Sequence, residues 1–381
     1  MKRTILACAS VLVVSGAAAT ACSSSSNDGE LPHDDGGAGS ETSTGGDGGL
    51  TVACSDTDDS IYADPGSISA SAQGDVLKCA SDSPVSAADV KSQLSGVGYV
   101  GKDPTSGAHV YRILYRTERG DDAKSAGTSS ALVYLPDTPK AAQLPVVVAS
   151  HGSRGQATLC APSRNDPAGQ YVEDDFVAQV MPLVGAGYAV IAPDLAGYAN
   201  YGASGNPPSA YADAEDVGKS TLDAARALRK MIPGLFNDKT VLVGHSQGGG
   251  TALGALAIAA DYAPEIEIAG TAVYAPLWFS QATWGALFLV ADNYPIASSP
   301  TPTAVSVWYH YTHGELLDGP GHGLDPFKDT AKTAVKQFVD QQCWASSYPG
   351  LEALGTTAKD IFDPSFVNSV GGPAAVGSPC A

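Results

Sequence analysis

Lys239 to Ala260, reading KTVLVGHSQGGGTALGALAIAA, constrains the fold more than any other stretch of this 381-residue chain. Thr240 to Val243 are β-branched or apolar and predict a buried strand, and the Ala- and Leu-rich run after Gly250 predicts a helix. Between them, Gly244-His245-Ser246-Gln247-Gly248 allows only a sharp corner. A strand and a helix can close on each other across such a corner when the residues two before and two after the central one are small. The central residue then sits in a strained turn. This is the G-x-S-x-G pattern of a nucleophile elbow, which presents a serine hydroxyl at the C-terminal edge of a sheet.

Around this stretch, strand-like and helix-like runs alternate. Ala87 to Leu94 predicts a helix with Ser86 as N-cap, inside an N-terminal extension whose role is packing. His109 to Thr117 and Thr128 to Leu135 alternate in polarity and predict a hairpin of half-exposed strands. Pro145 to Ser150 is continuously apolar, the mark of a strand covered on both faces, and it ends in the turn His151-Gly152-Ser153-Arg154-Gly155. Glu173 to Ala186 has helical spacing, Tyr188 to Ala192 is a further strand ending in Pro193-Asp194, and Asp213 to Ile232 is amphipathic with Arg226, Arg229 and Lys230 near its end. Ala269 to Ala275 follows as a strand. The pattern predicts an α/β fold with a mostly parallel sheet, helices on both faces, and function at the strands' C-terminal ends, where all three glycine turns fall.

A strand ending in His151-Gly152, a strand ending in Pro193-Asp194 with Gly197, and a strand ending in Gly244-His245-Ser246-Gln247-Gly248 occur here in the order seen in α/β-hydrolases. From about His109 to Pro276 the chain resembles that superfamily, and within it the secretory lipase and esterase group; acyl peptidases and acyltransferases share the same elbow. The resemblance implies Ser246 as nucleophile, with an oxyanion hole made by the backbone amides of Gln247 and of Ser153 or Arg154. It also implies that His151 bonds its own loop and that His245 packs under the elbow. Asp194 and Gly197 are expected to shape a turn near the site.

In this superfamily the acid and then the base follow the nucleophile on loops after later strands. Beyond Pro276 the sequence offers Leu277, Trp278, Phe279, Trp284, Leu287 and Phe288, then Pro-rich turns, a helix near Thr330 to Gln342 and broken helical pieces to Phe366. This predicts a C-terminal helical cap with an apolar wall for an acyl chain. Val305 to Tyr309 is the only strand-like run, and a poor one, so the last sheet strands are expected to be absent. His310, His313 and His322, with Asp318 and Asp325, are the remaining candidates for the triad. His322 as base and Asp325 as acid are the pair taken forward, although one loop would have to supply both. The odd cysteine count, the ending Gly-Ser-Pro-Cys-Ala and the lack of a late strand predict a chain that stops early, leaving an unpaired sheet edge.

Met1 to Ala21 carries Lys2 and Arg3, an apolar run and Ala19-Thr20-Ala21, an export signal. Cys22 follows at once, resembling a bacterial lipobox with Cys22 as the acylated residue; Ala-Thr-Ala also suits an ordinary signal peptidase. Ser23 after it implies the outer membrane. The organisation expected is 1–21 signal, 22–53 lipid-anchored disordered linker, 54–107 N-terminal extension, 108–276 hydrolase core and 277–381 cap. Cys54, Cys79, Cys160, Cys343 and Cys380 remain after processing. Export favours disulfides among them, with Cys54/Cys79 and Cys343/Cys380 nearest in sequence and the connectivity open. No cysteine or histidine spacing indicates a metal, and no cofactor is expected.

The formal charge of -19 argues against nucleic acid and anionic membrane surfaces as partners. The reading is an extracytoplasmic serine hydrolase of carboxylic esters, its partner a small ester or lipid, touching the membrane only through Cys22. A hydrolase-fold surface lipoprotein without activity and a serine peptidase of the same fold are the alternatives. The sequence says nothing of oligomeric state.

Overall fold

The computed structural model describes residues 50–167, 174–199, 206–278, 296, 300–344 and 348–371. The signal, Cys22, most of the linker, Phe279, Trp284, Leu287, Phe288 and Cys380 lie outside the described residues.

Val76–Ser81 (β1), Ala108–Glu118 (β2), Ala126–Pro136 (β3), Leu144–Ser150 (β4), Val190–Pro193 (β5), Phe236–His245 (β6) and Glu267–Tyr274 (β7) form one sheet in the order β1-β2-β3-β5-β4-β6-β7. Parallel pairing is confined to β5, β4, β6 and β7, the half that carries the three glycine turns. β1, β2 and β3 pair antiparallel with one another, and β3 joins β5 antiparallel. The sheet is thus mixed. Among the described residues β7 is the last strand.

Helices Ala87–Gly96 (α2) and Asp174–Gly185 (α3) cover one face through Val90, Leu94, Phe176, Val180 and Val184, packed on Val110, Leu132, Val147 and Val190. Ala214–Met231 (α4) and Gln247–Tyr262 (α5) cover the other, setting Leu222, Leu228, Ala252 and Ala255 against Ile113, Val133, Val146 and Leu242. A short helix, Asp58–Ile61 (α1), packs beside β1 and β2. Side-chain capping fixes two starts: Ser86 forms a capping box with Asp89, and Asp213 accepts from the amides of Glu215 and Asp216.

Three expectations change. β2 and β3 are buried almost throughout instead of half-exposed, because β1 and β5 flank them and helices cover both sides. β1 itself, VLKCAS, was hidden from sequence reasoning by its Lys78 and its lack of alternation. Val305 to Tyr309 is helical, within Pro300–His313 (α6), where tertiary packing around Trp308 overrides the β-branched composition. The packed chain also starts earlier than the expected linker end: Leu50 and Val52 lie on the core, and Val52 N–H donates to the Tyr111 hydroxyl at 2.9 Å.

The cap holds a second apolar cluster. Trp308 on α6 stacks on Phe338 of Lys332–Gln341 (α7) with centroids 5.7 Å apart, and it meets Tyr348 edge-on at 5.9 Å. Ala358–Ile361 (α8) and Pro364–Gly371 (α9) complete it, with Phe362 and Phe366. Tyr211 enters this cluster from the core, and its N–H donates to Thr312 Oγ1 at 3.0 Å.

Cys54 bonds Cys79, tying the start of the chain to β1. Cys160 bonds Cys343 across 183 residues, tying the loop after β4 to the cap. Among the described residues, no helix is long and apolar enough to cross a membrane.

Candidate active site

β6 ends at His245 and α5 begins at Gln247, which leaves Ser246 alone in the turn at φ 52° and ψ -117°. That conformation costs a non-glycine residue about 1–3 kcal/mol and persists only where the surroundings impose it. They do so here. Ser246 N–H donates to Tyr274 O at 2.9 Å, and Ser246 O accepts from Leu277 N–H at 2.7 Å and Gly250 N–H at 3.2 Å. A Cβ on Gly244 would stand 2.0 Å from Gly248 O, and one on Gly248 would stand 1.9 Å from Ser150 O. The steric rule read from the sequence is therefore enforced by backbone atoms.

The turn after β4 runs beside the elbow. Ser153 is buried and exchanges a 2.5 Å hydrogen bond with the Tyr211 hydroxyl. Gly155 has φ +93°, and a Cβ there would meet Gln342 O at 2.4 Å. The cap strap therefore lies directly on this turn, held by the Trp344 N–H bond to Arg154 O at 2.9 Å and by Cys160–Cys343. The amides of Gln247 and Ser153 donate to no acceptor among the described residues.

His151 is buried, with its ring nitrogens facing the carbonyls of Gly152 and Asp194. Burial, reinforced by the Arg154 charge, drives its pKa down to about 4, so the ring is neutral at pH 7. Asp194 is buried beneath it. Desolvation raises its pKa to about 6 against bonds from the Ser130 hydroxyl and from the Ser163 hydroxyl and amide. Asp194 thereby ties the turn after β5 to residues 162–164 and does not line the pocket at Ser246.

That pocket, of about 270 Å³, is lined by Gly152, Ser153, Arg154, Asp175, His245, Ser246 and Trp344. His245 does not pack under the elbow. Its side chain is 36% exposed, enough for solvent and ligand access, and its Nδ1 lies 2.9 Å from Asp175 Oδ2. The other carboxylate oxygen accepts from buried Arg154 Nη2 at 2.7 Å. Burial works to raise the Asp175 pKa, but the Arg154 charge and hydrogen bond and the His245 bond outweigh it, and the carboxyl titrates below its ordinary range. An ionised carboxylate can only accept, so Nδ1 is the protonated ring nitrogen. Asp175, 70 residues before His245, was missed because nothing in the local pattern of Asp174-Asp175 at a helix start separates it from a helix-dipole acid.

The cap places the other histidines elsewhere. His322 Nδ1 and Asp325 Oδ2 are 2.8 Å apart on a 3₁₀ turn, with side chains 55% and 67% exposed, and neither lines the Ser246 pocket. His310 is buried against Phe362 and Phe366, and burial holds its pKa well down. His313 stacks on Tyr309 at 3.8 Å, and its Nε2 sits 3.1 Å from Tyr211 O. Among the described residues no group of three or more His, Cys, Asp or Glu is arranged to hold a metal.

Comparisons with known proteins find lipases and esterases. The profile of the family described as secretory lipase matches residues 171–280, a span that contains α3 with Asp175, the elbow and β7. A secreted triacylglycerol lipase, LIP4 of Malassezia furfur, is 30% identical over 167 residues, 42% of this chain. The chain spans 30% of that relative's length. Among solved structures, the rice cell wall degrading esterase LipA from Xanthomonas oryzae superposes with a TM-score of 0.59 at 17% identity, covering 80% of this chain and 76% of that one. Candida antarctica lipase A in its closed state gives 0.58 at 18% identity, covering 84% and 66%. At such identities the structural likeness establishes the fold.

Proposed function

From an α/β-hydrolase fold of the lipase and esterase type, we propose that this chain cleaves carboxylic esters through an acyl-enzyme on Ser246. The observation that carries this reading is Ser246 held at φ 52° on a strand-to-helix turn at a pocket, with glycines two residues to either side that tolerate no side chain. The amides of Gln247, at the start of α5, and of Ser153, which donate to no acceptor among the described residues, are the donors proposed for the oxyanion; one such donor is worth roughly 3 kcal/mol of barrier in other hydrolases. The chemistry needs no cofactor. The two disulfides fit an exported protein, and anchoring through an acylated Cys22 is part of the proposal.

The wild-type chain is expected to react with a fluorophosphonate and to turn over p-nitrophenyl esters. Ser246→Ala should lose both, turnover falling by about 10⁴-fold or more. A wild-type chain that neither labels nor turns over would support the second reading, a hydrolase-fold surface protein without activity. That reading draws on the placement of His322 and Asp325 outside the Ser246 pocket. Palmitate incorporation that survives Cys22→Ala would remove the anchor.

A further inference from the structure

All three polar groups of Tyr211 are engaged, two by the cap and one by the turn beside the elbow. Its side chain is buried, and its hydroxyl meets Ser153 Oγ at 2.5 Å. Its N–H donates to Thr312 Oγ1 at 3.0 Å, and its carbonyl accepts from His313 Nε2 at 3.1 Å. Both of those partners lie in the last turn of α6. We infer that Tyr211 is a positioning residue for the oxyanion donor at Ser153, set in place by the cap. This rests on the ester-hydrolase reading, with the Ser153 amide as one of its donors.

The backbone around Tyr211 is fixed on both sides. Ala212, the next residue, has φ 60°, a left-handed conformation unfavourable to a residue with a side chain and kept only where neighbours impose it. Asp213 then accepts from the amides of Glu215 and Asp216, so the chain passes from Tyr211 into a capped helix start. On the cap side, Thr312 Oγ1 donates to Trp308 O at 2.7 Å while it accepts from Tyr211. One hydroxyl can do both, having a proton and two lone pairs. The Tyr211 ring lies 6.0 Å from the ring of Trp308, within the same apolar cluster.

Ser153 is the receiving end. It lines the pocket at Ser246 and Tyr211 does not, so the tyrosine acts on the site through the Ser153 side chain. Pinning Oγ confines χ1 to one staggered well and thereby restricts the direction of the N–H on the same residue. That restriction matters because an oxyanion donor must stand about 2.7–3.1 Å from the developing charge. The strap bonds the next residue, Trp344 N–H to Arg154 O at 2.9 Å, so the cap grips this turn at two successive positions.

The test uses the full chain as wild type, Ser246→Ala, Tyr211→Phe, Thr312→Val, Thr312→Ser and Tyr211→Phe/Thr312→Val. Fluorophosphonate labelling, kcat and KM for p-nitrophenyl esters, the thermal midpoint and the Ser153 amide resonance are read on each. Tyr211→Phe keeps the ring and removes the hydroxyl; kcat should fall about 10-fold with KM within about twofold, since a misplaced donor weakens the transition state and not ground-state binding. Thr312→Val, which removes the cap's hold on the Tyr211 N–H, should lower kcat about threefold and move the Ser153 amide. Thr312→Ser keeps Oγ and should keep wild-type kcat, which a loss through packing alone would not. In the double variant the loss should not exceed that of Tyr211→Phe, because both changes break one path.

Wild type labelled at Ser246, with folded Tyr211→Phe turning over within about twofold of it, overturns the inference and leaves the nucleophile standing. Losses that add in full in the double variant, or that fall on KM alone, also overturn it. Should Tyr211→Phe not fold, Thr312→Val decides: unchanged kcat with an unmoved Ser153 amide is the adverse result. Wild type labelled no more than Ser246→Ala sinks the ester-hydrolase reading, and the role of Tyr211 with it.

Discussion

Two His–Asp pairs in this molecule have nearly the same local geometry and different surroundings. His245 meets Asp175 at 2.9 Å and His322 meets Asp325 at 2.8 Å, each through Nδ1 and Oδ2. The first joins residues 70 apart, is backed by a buried arginine and faces the pocket that contains Ser246. The second joins residues three apart on a solvated turn, where the hydrogen bond and charge of Asp325 simply raise the His322 pKa. An exposed pair of this kind is screened and contributes little to stability. The contrast shows that equal pair geometry leaves one imidazole on a pocket wall and the other in solvent, according to what packs around it.

The largest effect separating the two pairs should come from the clamp on the pocket. Cys160–Cys343 closes 183 residues and holds the strap carrying Trp344 against Arg154; loop-closure entropy alone puts its removal at about 5 kcal/mol. Cys160→Ser/Cys343→Ser is expected to lower the thermal midpoint and ester turnover together, while the His322 resonance, fixed by a local turn, keeps its titration. Equal disturbance of both histidines by NMR would break the distinction. Gly152→Ala is a finer probe. Its Cβ crowds Asp175 Oδ2 and His245 Nδ1 on the pocket wall, and misplacement on that scale should cost about 10-fold in kcat. Turnover unchanged within error would mean that the Asp175–His245 geometry is not used.

The smallest effect belongs to the cap pair. Because its folded pKa is raised, whatever stability His322 gains from Asp325 is fully present below the unfolded value of about 6.5 and disappears as pH rises through the folded one. Asp325→Asn should move the His322 midpoint down toward 6.5, read by NMR. Ester turnover that tracked this titration would give the cap pair a part in the reaction.

Much of the fold was legible because its signals are local. The start of α2 follows from Ser86 as its cap, α4 follows from the amphipathic spacing of Asp213 to Ile232, and β4 is recognisable as a buried strand from five apolar or small residues in succession. β1 and α6 were not legible. VLKCAS becomes a strand because β2 offers it an edge, and Val305 to Tyr309 becomes helical because Trp308 is needed on one face of the cap cluster. At the site, the sequence singled out Ser246, Gln247 and Ser153, which the fold brings to one turn region, and also His322 with Asp325, which lie on a solvated turn that does not line the Ser246 pocket.

The sequence alone determined the elbow, since its demand for glycines at 244 and 248 acts between atoms a few residues apart, and with it the α/β sheet that the elbow terminates. Tertiary structure decided everything that depends on meeting across long intervals of chain: Asp175 with His245, Cys160 with Cys343, and Tyr211 with Ser153. Side-chain identity shows which groups can pair, but the choice among distant partners is made by the order of strands in the sheet and the helices laid over it.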